Sequence, residues 1–292
     1  GTGVLGLAAT AYTLNLDGNL LTSTGTIICP NVSGTFTFAG ATWNTPTTFT
    51  HSSGLVTLDR AGTTTLANAS ILFNSVTVNN GTTLATSTYN ITLAANLVVG
   101  GGTSGVVTTS TGTKSIVGTT TINAGASFGT LTTTYTLNMD SNLLASAGTL
   151  IAPTSAGSFT YAGATWLSPT TFTHSDGKVT LDLAGTTTLG NASIQFGSIL
   201  VSSGTTLDTS AASSFALTAA SVTTVTGTLN TNASAFTTGG ISNVTTGFVI
   251  SAGATFNGGT GTHTINAISN SAGTGTIVFS TGTTSWKGSG GS

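Results

Sequence analysis

The chain has 292 residues, of which 38% are apolar and only 3% are charged, and its formal net charge is −2. Globular proteins carry about 25% charged residues, so hydroxyl and amide groups must cover this surface, and the chain accordingly contains 69 Thr and 40 Gly. The near-zero charge excludes the basic surface that nucleic-acid binding requires, and no apolar run reaches the roughly 20 residues of a membrane span.

An internal duplication organises the chain. Residues 12–87 recur at 135–210 at a constant offset of 123, without insertion. Repeated units that cannot bury their apolar faces alone stack on one another as solenoids. We therefore predict one solenoid block at 1–123, a second at 124–246, a partial third at 247–286 and a flexible Gly/Ser tail at 287–292.

The predicted elements are short strands. Along the chain, apolar residues alternate with Thr or Asn in runs of four to six residues, and each run ends in Gly, Asn or Ser. This period of two is typical of strands with one buried face, whereas Thr-rich sequence disfavours helices. The clearest runs in chain order lie at 13–17, 34–38, 55–59, 75–78 and 90–93.

Glycines mark a finer period inside each block. Gly62 and Gly81 are 19 residues apart, as are Gly185 and Gly204. The sequence therefore predicts an all-β fold, a two- or three-sided β-solenoid (β-helix) whose coils have about 20 residues. About six such coils would fill a block and roughly fourteen the chain. Threonine ladders would lie outside the coils, and aliphatic and aromatic stacks inside.

Three segments of block 1 resemble the β-strand repeats of giant bacterial surface proteins. These segments are Phe36–Trp43, Thr48–Asp59 and Gly62–Leu66, and the likeness extends over both full blocks, about residues 11–246. They are similar to the β-solenoids of the filamentous-haemagglutinin and adhesin type. The resemblance implies an exported, elongated structural or adhesive protein and carries over no catalytic residue.

Three tryptophans recur near the same place in each block and are candidate aromatic contacts. Trp43 and Trp166 are separated by the full block offset, and Trp286 follows 120 residues later. Exposed, their rings could stack on sugars; buried, they would fill a corner of the coil, with the indole N–H donating to a carbonyl. Burial is the favoured interpretation.

Titratable residues offer little for chemistry. His51 with Asp59, and His174 with Asp176 and Asp182, are the recurring clusters, but a metal site needs three or more converging ligands, so a turn is the favoured interpretation. One carboxylate per Asx-rich loop, at Asp17 and Asp140, is too few for calcium. No glycosidase-type carboxylate pair stands out among six Asp and no Glu. We predict no catalytic residue, no metal site, no cofactor and no enzymatic activity.

Cys29 is the chain's single cysteine, and its counterpart one block later is Ala152. We interpret it as a small buried residue, with an intermolecular disulfide as the alternative. N-glycosylation sequons are also present, and chance matches are expected in so Asn- and Thr-rich a chain. They begin at Asn31, Asn68, Asn80, Asn90, Asn191, Asn232 and Asn243.

Three functional hypotheses follow. The first is an extracellular or cell-surface fibre, stalk or sheath segment; because neither end shows a capping element, it would extend end to end on flanking repeats or on copies of itself. The second is an adhesin or carbohydrate-binding stalk that contacts glycans or a cell surface through the aromatics. The third is an ice-binding solenoid, which would need a constant coil length and aligned Thr. The interval of 23 residues between Gly204 and Gly227 argues against the third.

Overall fold

The computed structural model is an all-β, parallel β-solenoid of about 11 turns with about 22 residues per coil, which confirms the predicted fold class. The coils are longer and fewer than the glycine spacing indicated, because the turns vary in length. The described part of the chain contains no helix, and so none that could cross a membrane. The structure describes residues 3–21, 24–44, 46, 48–67, 69–102, 104–145, 147–167, 171–190, 193–209, 216–239, 247–266, 268–270, 274–278 and 281–287.

In the described part of the chain the strands form five parallel sheets, and neighbouring strands within a sheet are hydrogen-bonded to each other. The largest sheet has thirteen strands, in spatial order β2 (Thr13–Leu16), β4 (Thr35–Phe38), β7 (Leu55–Leu58), β10 (Ser75–Val78), β13 (Leu97–Val99), β16 (Thr120–Ile122), β19 (Leu143–Ala145), β22 (Thr165–Leu167), β25 (Gly185–Gly190), β28 (Thr205–Asp208), β31 (Thr228–Asn230), β34 (Thr255–Asn257) and β37 (Thr276–Val278). The ten-stranded sheet contains, again in spatial order, β36 (Ile268–Asn270), β33 (Phe248–Ile250), β30 (Thr223–Val225), β27 (Ser198–Val201), β24 (Lys178–Leu181), β21 (Ser158–Tyr161), β18 (Thr136–Met139), β15 (Thr113–Ile116), β12 (Ile91–Leu93) and β9 (Ile71–Phe73).

The three other sheets are smaller. The seven-stranded sheet contains β23 (Thr171–Thr173), β20 (Thr149–Ile151), β17 (Ser127–Phe128), β14 (Val106–Thr108), β11 (Thr82–Ala85), β8 (Gly62–Ala67) and β5 (Thr42–Asn44). The five-stranded sheet contains β26 (Ile194–Phe196), β29 (Leu217–Ala219), β32 (Phe236–Thr238), β35 (His263–Asn266) and β38 (Thr284–Lys287). The three-stranded sheet contains β1 (Val4–Leu5), β3 (Thr26–Ile28) and β6 (Thr48–Thr50).

One turn of the solenoid uses three strands. Strands β9, β10 and β11 lie in three different sheets, and β12, β13 and β14 pair with them in the same order. The fold is therefore three-sided. The register keeps like residues in line, since Val76 pairs with Val56 on one side and with Leu97 on the other. Inward aliphatic side chains thus stack in columns, as the alternation predicted.

The sequence block is not a whole number of turns. Trp43 lies in β5 and Trp166 in β22, so one block spans 17 strands, which at three per turn is not an integer. As a result β5 belongs to the seven-stranded sheet and β22 to the thirteen-stranded sheet. At three strands per turn the block makes 17/3, or about 5.7, turns, which is close to the expected six coils but is not a whole number.

The described coils divide into two compact units, Gly1–Asp140 with Leu144–Ile151 and Pro169–Thr171, and Ser141–Leu143 with Ala152–Ser168 and Phe172–Ser292. The first unit buries aromatic and aliphatic side chains such as Phe36, Phe38 and Val56. The second buries their counterparts Phe159, Tyr161 and Val179. Each unit therefore has a core of its own.

Threonine lies on both sides of the coils. Thr37, Thr57 and Thr77 form an outward ladder, as predicted. The interior also holds some threonine, since Thr64 and Thr187 are fully buried. Their hydroxyls donate to the carbonyl oxygens of Gly40 at 2.8 Å and of Gly163 at 2.9 Å. An inward Thr is tolerated where a backbone carbonyl accepts its proton.

Candidate functional site

Trp43 is the centre of an aromatic cluster in the first unit. Its ring lies 4.9 Å from Phe38, 5.6 Å from Phe49 and 5.4 Å from Phe73, centroid to centroid, in edge-to-face geometry. The inward position in β5 directs the indole to the solenoid axis, where strands of three sheets supply its neighbours. Such edge-to-face contacts stabilise beyond the area they bury.

Trp166 repeats this cluster in the second unit. Its ring lies 4.8 Å from Tyr161, 5.6 Å from Phe172 and 5.5 Å from Phe196. Both Trp166 and Trp43 are 0% exposed, so neither can stack on a sugar while the chain is folded. Trp286 lies in β38, and its side chain is outside the part of the chain that the structure describes.

The indole N–H groups depart from expectation. The Nε1 atoms of Trp43 and Trp166 are buried and have no hydrogen-bond partner, whereas the sequence predicted that each would donate to a carbonyl. Leaving such a donor unpaired costs about 1–3 kcal/mol. The aromatic packing around each ring must offset this cost, so the tryptophans are structural.

The histidine clusters are turns. The backbone N–H of Ser53 donates to Nδ1 of His51 at 3.2 Å, and that of Asp176 donates to Nδ1 of His174 at 3.0 Å. Ser53 and Asp176 both have positive φ, 61° and 58°. Because Nδ1 of His174 accepts the N–H of Asp176, its 3.6 Å approach to the Asp176 carboxylate cannot also be a donated hydrogen bond in the same tautomer. The described residues hold no group of three His, Cys, Asp or Glu side chains arranged for a metal.

Asparagines at the corners join successive coils, and the sequence did not reveal this role. The Oδ1 atom of Asn19 accepts the N–H of Ala41 at 2.8 Å, and that of Asn96 accepts the N–H of Thr119 at 2.9 Å. Asn142, which sits in the Asx loop considered for calcium, accepts the N–H of Thr165 at 3.0 Å in the same way. The signal was present as Asn recurring just before a strand, but only the fold shows that the donor lies one coil later.

The described sequon asparagines all use their side chains in internal hydrogen bonds. Nδ2 of Asn31 donates to Ala9 O at 3.0 Å, and Nδ2 of Asn232 donates to Asp208 Oδ1 at 2.7 Å. Oδ1 of Asn90 accepts the N–H of Thr113 at 2.7 Å, and that of Asn80 accepts the Ser104 hydroxyl. Asn80 and Asn90 are exposed. Asn68, Asn191 and Asn243 lie outside the described residues.

A regular surface feature of the second unit is a ladder of five outward threonines. In register order it consists of Thr186, Thr206, Thr228, Thr255 and Thr276. We call it the threonine ladder. Beside it, two residues along each strand, runs a polar column of Thr188, Asp208, Asn230 and Asn257. Nδ2 of Asn257 donates to Oδ1 of Asn230 at 2.7 Å, which fixes part of this column.

Lys114 is buried, which the sequence did not predict. It occupies an inward position of β15 between Ile91 and Leu137, is 2% exposed, and borders an interior cavity of about 20 Å³. Its Nζ atom donates to the carbonyl oxygens of Tyr89 at 2.8 Å and Thr111 at 2.7 Å. Burial lowers the pKa of this ammonium from 10.5 to about 8.

Cys29 is fully buried and unpaired, which agrees with the favoured interpretation. Burial raises the pKa of its thiol from 9.0 to about 12. A thiol held in its protonated form is a poor nucleophile. In the folded chain Cys29 therefore acts as an apolar side chain.

Neither a protein-family model, nor a curated protein, nor a solved structure matches the chain.

Proposed function

We propose that the chain is a segment of an extracellular or cell-surface fibre, stalk or sheath, which extends by stacking of further β-solenoid coils. The observation that supports the proposal best is the continuity of the parallel ladders within each unit. In the first unit, for example, β4, β7, β10 and β13 pair in sequence without a break. A ladder of this kind can accept another coil at its edge without change to the coils already present.

Two further observations support a mechanical role. Among the described residues, backbone N–H groups of the chain itself donate hydrogen bonds to the corner asparagines and to the His51 and His174 rings. Large apolar side chains are exposed on the first coil, including Val4, Leu5 and Leu7. An exposed apolar patch on a strand edge favours a stacking partner. The resemblance to giant bacterial surface proteins fits the same role.

Electron microscopy of the longest natural form of the chain tests the proposal. We expect fibres of uniform width whose length grows with the number of repeats. Short and long forms that both give compact, isolated particles would contradict it. A concatemer of residues 3–125 offers the matched series, because each added copy should lengthen the fibre by the same increment.

An adhesive role loses its main support in Trp43 and Trp166, whose rings are buried. Binding to ice is the second candidate, and the threonine ladder favours it. Its members are separated along the chain by 20, 22, 27 and 21 residues and still stay in register. Variation in coil length is confined to the turns, so the objection from unequal glycine spacing does not apply to this sheet.

The physical basis is a fixed array of hydroxyls. The strands repeat at about 4.8 Å, and the stiff χ1 of β-branched Thr holds each hydroxyl in place. Such an array can order water. Thermal hysteresis measures the activity: Thr228→Lys, in the middle of the ladder, should abolish it, whereas the control Thr92→Lys on the ten-stranded sheet should keep it. Wild-type protein without hysteresis would reject this candidate.

A further inference from the structure

The first coil presents an open apolar surface. Val4, Leu5 and Leu7 are exposed, Tyr12 is half-buried, and Leu20 lines a groove of about 340 Å³ with Val4 and Leu5. We call these five residues the first-coil surface. Strand β1 is the outer strand of its sheet and β2 is the outer strand of the thirteen-stranded sheet. The surface therefore combines apolar side chains with two strand edges.

The chain contains a second copy of this surface, 123 residues later. The backbone is the same in both, since Gly6 and Gly129 have φ of 101° and 103°, and Ala9 and Thr132 have φ of 55° and 62°. The hydroxyl of Tyr12 donates to Ile28 O, and that of Tyr135 donates to the equivalent Ile151 O. The two surfaces differ at Val4 and Leu7, where the second copy has Ser127 and Thr130, and in what lies on them.

The second copy is covered by the coil of residues 104–125. Val107 of β14 pairs with Phe128, and Lys114 of β15 pairs with Leu137. The N–H groups of Ser127 and Gly129 donate to Gly105 O and Val107 O, both at 2.9 Å. Phe128 is consequently 2% exposed, whereas its counterpart Leu5 is 44% exposed.

We propose that the first-coil surface binds one further solenoid coil of the type of residues 104–125, packed in parallel on β1 and β2 and supplied by another repeat unit. This inference rests on the proposed function and specifies the contact through which the coils would stack. The covered copy shows which inward residues fit this backbone, namely an aliphatic residue opposite Leu5 and a long side chain opposite Leu14.

One hydrogen bond of the covered copy cannot form on the first-coil surface. Thr109 donates its N–H to the Thr130 hydroxyl at 2.9 Å, and the residue in place of Thr130 on the first coil is Leu7. Leu7 offers an apolar contact instead. The partner coil should therefore match residues 104–125 in its strands and differ at the turn that follows β14.

The test is a chain in which residues 104–125 are joined directly to Gly3, the counterpart of Ala126. Hydrogen exchange of the Val4 and Gly6 amides, the counterparts of Ser127 and Gly129, should slow by about tenfold or more. The Tyr12 phenol should titrate at higher pH, because burial raises the pKa of the covered Tyr135 in this way; Tyr12→Phe assigns the signal. The control carries a scrambled extension of the same composition and should show neither change.

A second arm separates the partner coil from a second copy of the chain. Sedimentation measures the mass of the chain without extension, with Leu5→Asp as its variant. One outcome is that the chain without extension associates, that Leu5→Asp abolishes this association, and that the added extension is disordered. This outcome would overturn the inference but would still support stacking of the chain on copies of itself. A disordered extension on a chain that stays monomeric would overturn the inference and also remove the first-coil surface as support for the proposed function. Protection only in the matched extension supports the inference.

Discussion

At the scale of single residues, an inward position can hold more than an aliphatic side chain when a backbone carbonyl lies within reach. Thr64 meets Gly40 O, and Lys114 meets Tyr89 O and Thr111 O. The two tryptophans are the opposite case, because each buries an N–H without an acceptor. An inward polar group therefore stabilises the fold where a hydrogen-bond partner lies within reach and destabilises it where none does.

Trp166 allows the two contributions of a buried indole to be separated. Trp166→Ala removes the ring contacts with Tyr161, Phe172 and Phe196 and should cost about 3–5 kcal/mol. Trp166→Phe keeps most of the packing and removes the unpaired N–H, so it should cost less than about 1.5 kcal/mol. Urea unfolding of both variants measures the difference. Equal losses for Phe and Ala would contradict the stabilising role assigned to the ring packing.

Lys114 should make stability depend on pH. Its pKa is about 8 in the folded chain against 10.5 unfolded, so the unfolded chain binds more protons between these values and stability rises as pH rises through them. Below about pH 8 the full cost of burying the cation is present, at most roughly 3 kcal/mol. Lys114→Met should remove the rise, as measured by urea unfolding from pH 7 to 9.

Two controls accompany this measurement. The folded pKa of Cys29 is raised to about 12, so its contribution is present below pH 9 and falls above it, opposite to that of Lys114. The series is therefore run in Cys29→Ala, the residue found at the counterpart position 152. Lys178→Met, at an exposed site of β24, should leave the rise unchanged; a rise that persists in Lys114→Met would refute the assignment.

At the scale of elements, the corners set how one coil joins the next. Asn90 and Asn96 both reach backbone N–H groups 23 residues later. These bonds are made outside the ladders, where successive coils would otherwise leave donors unpaired. A corner asparagine thus extends the coil-to-coil bonding beyond the strands.

Asn96 gives the simplest test of a corner. Asn96→Ala removes the acceptor of the Thr119 N–H and should cost about 1 kcal/mol, with faster hydrogen exchange at Thr119. Asn96→Asp keeps an acceptor oxygen at the same place and is the matched control. Exchange at Thr119 that is equally fast in wild type would mean that the bond does not protect the amide.

The strands could be predicted from the sequence, and the corners could not. Alternation alone placed Leu14, Phe36 and Val56 inside, because an inward side chain must be apolar unless something satisfies it. The exceptions, Lys114 and Thr187, depend on carbonyls that lie in another coil. Likewise the partner of Asn96 is 23 residues away, a distance that only the register defines.

At the scale of the whole molecule, two periods coexist. From β3 onward the sequence repeats every 17 strands, while the backbone repeats every three. Duplication therefore copied a stretch of chain without regard to the faces of the solenoid, and Trp43 and Trp166 entered different sheets. The fold tolerates this because each coil contacts only its neighbours.

This independence predicts that a coil can be removed. Thr77 and Val98 are register partners in β10 and β13, so deletion of residues 77–97 joins Val76 to Val98 and places Val98 where Thr77 was. Strands β8 and β9 would then meet β14 and β15, with every side chain on its original face. We expect a folded chain whose far-ultraviolet circular dichroism per residue is unchanged. Deletion of residues 87–97 is the control, since it removes strand β12, the turn residues on either side of it and the first residue of β13, and so breaks the register; if both deletions unfold the chain equally, the sequence block and not the coil is the folding unit.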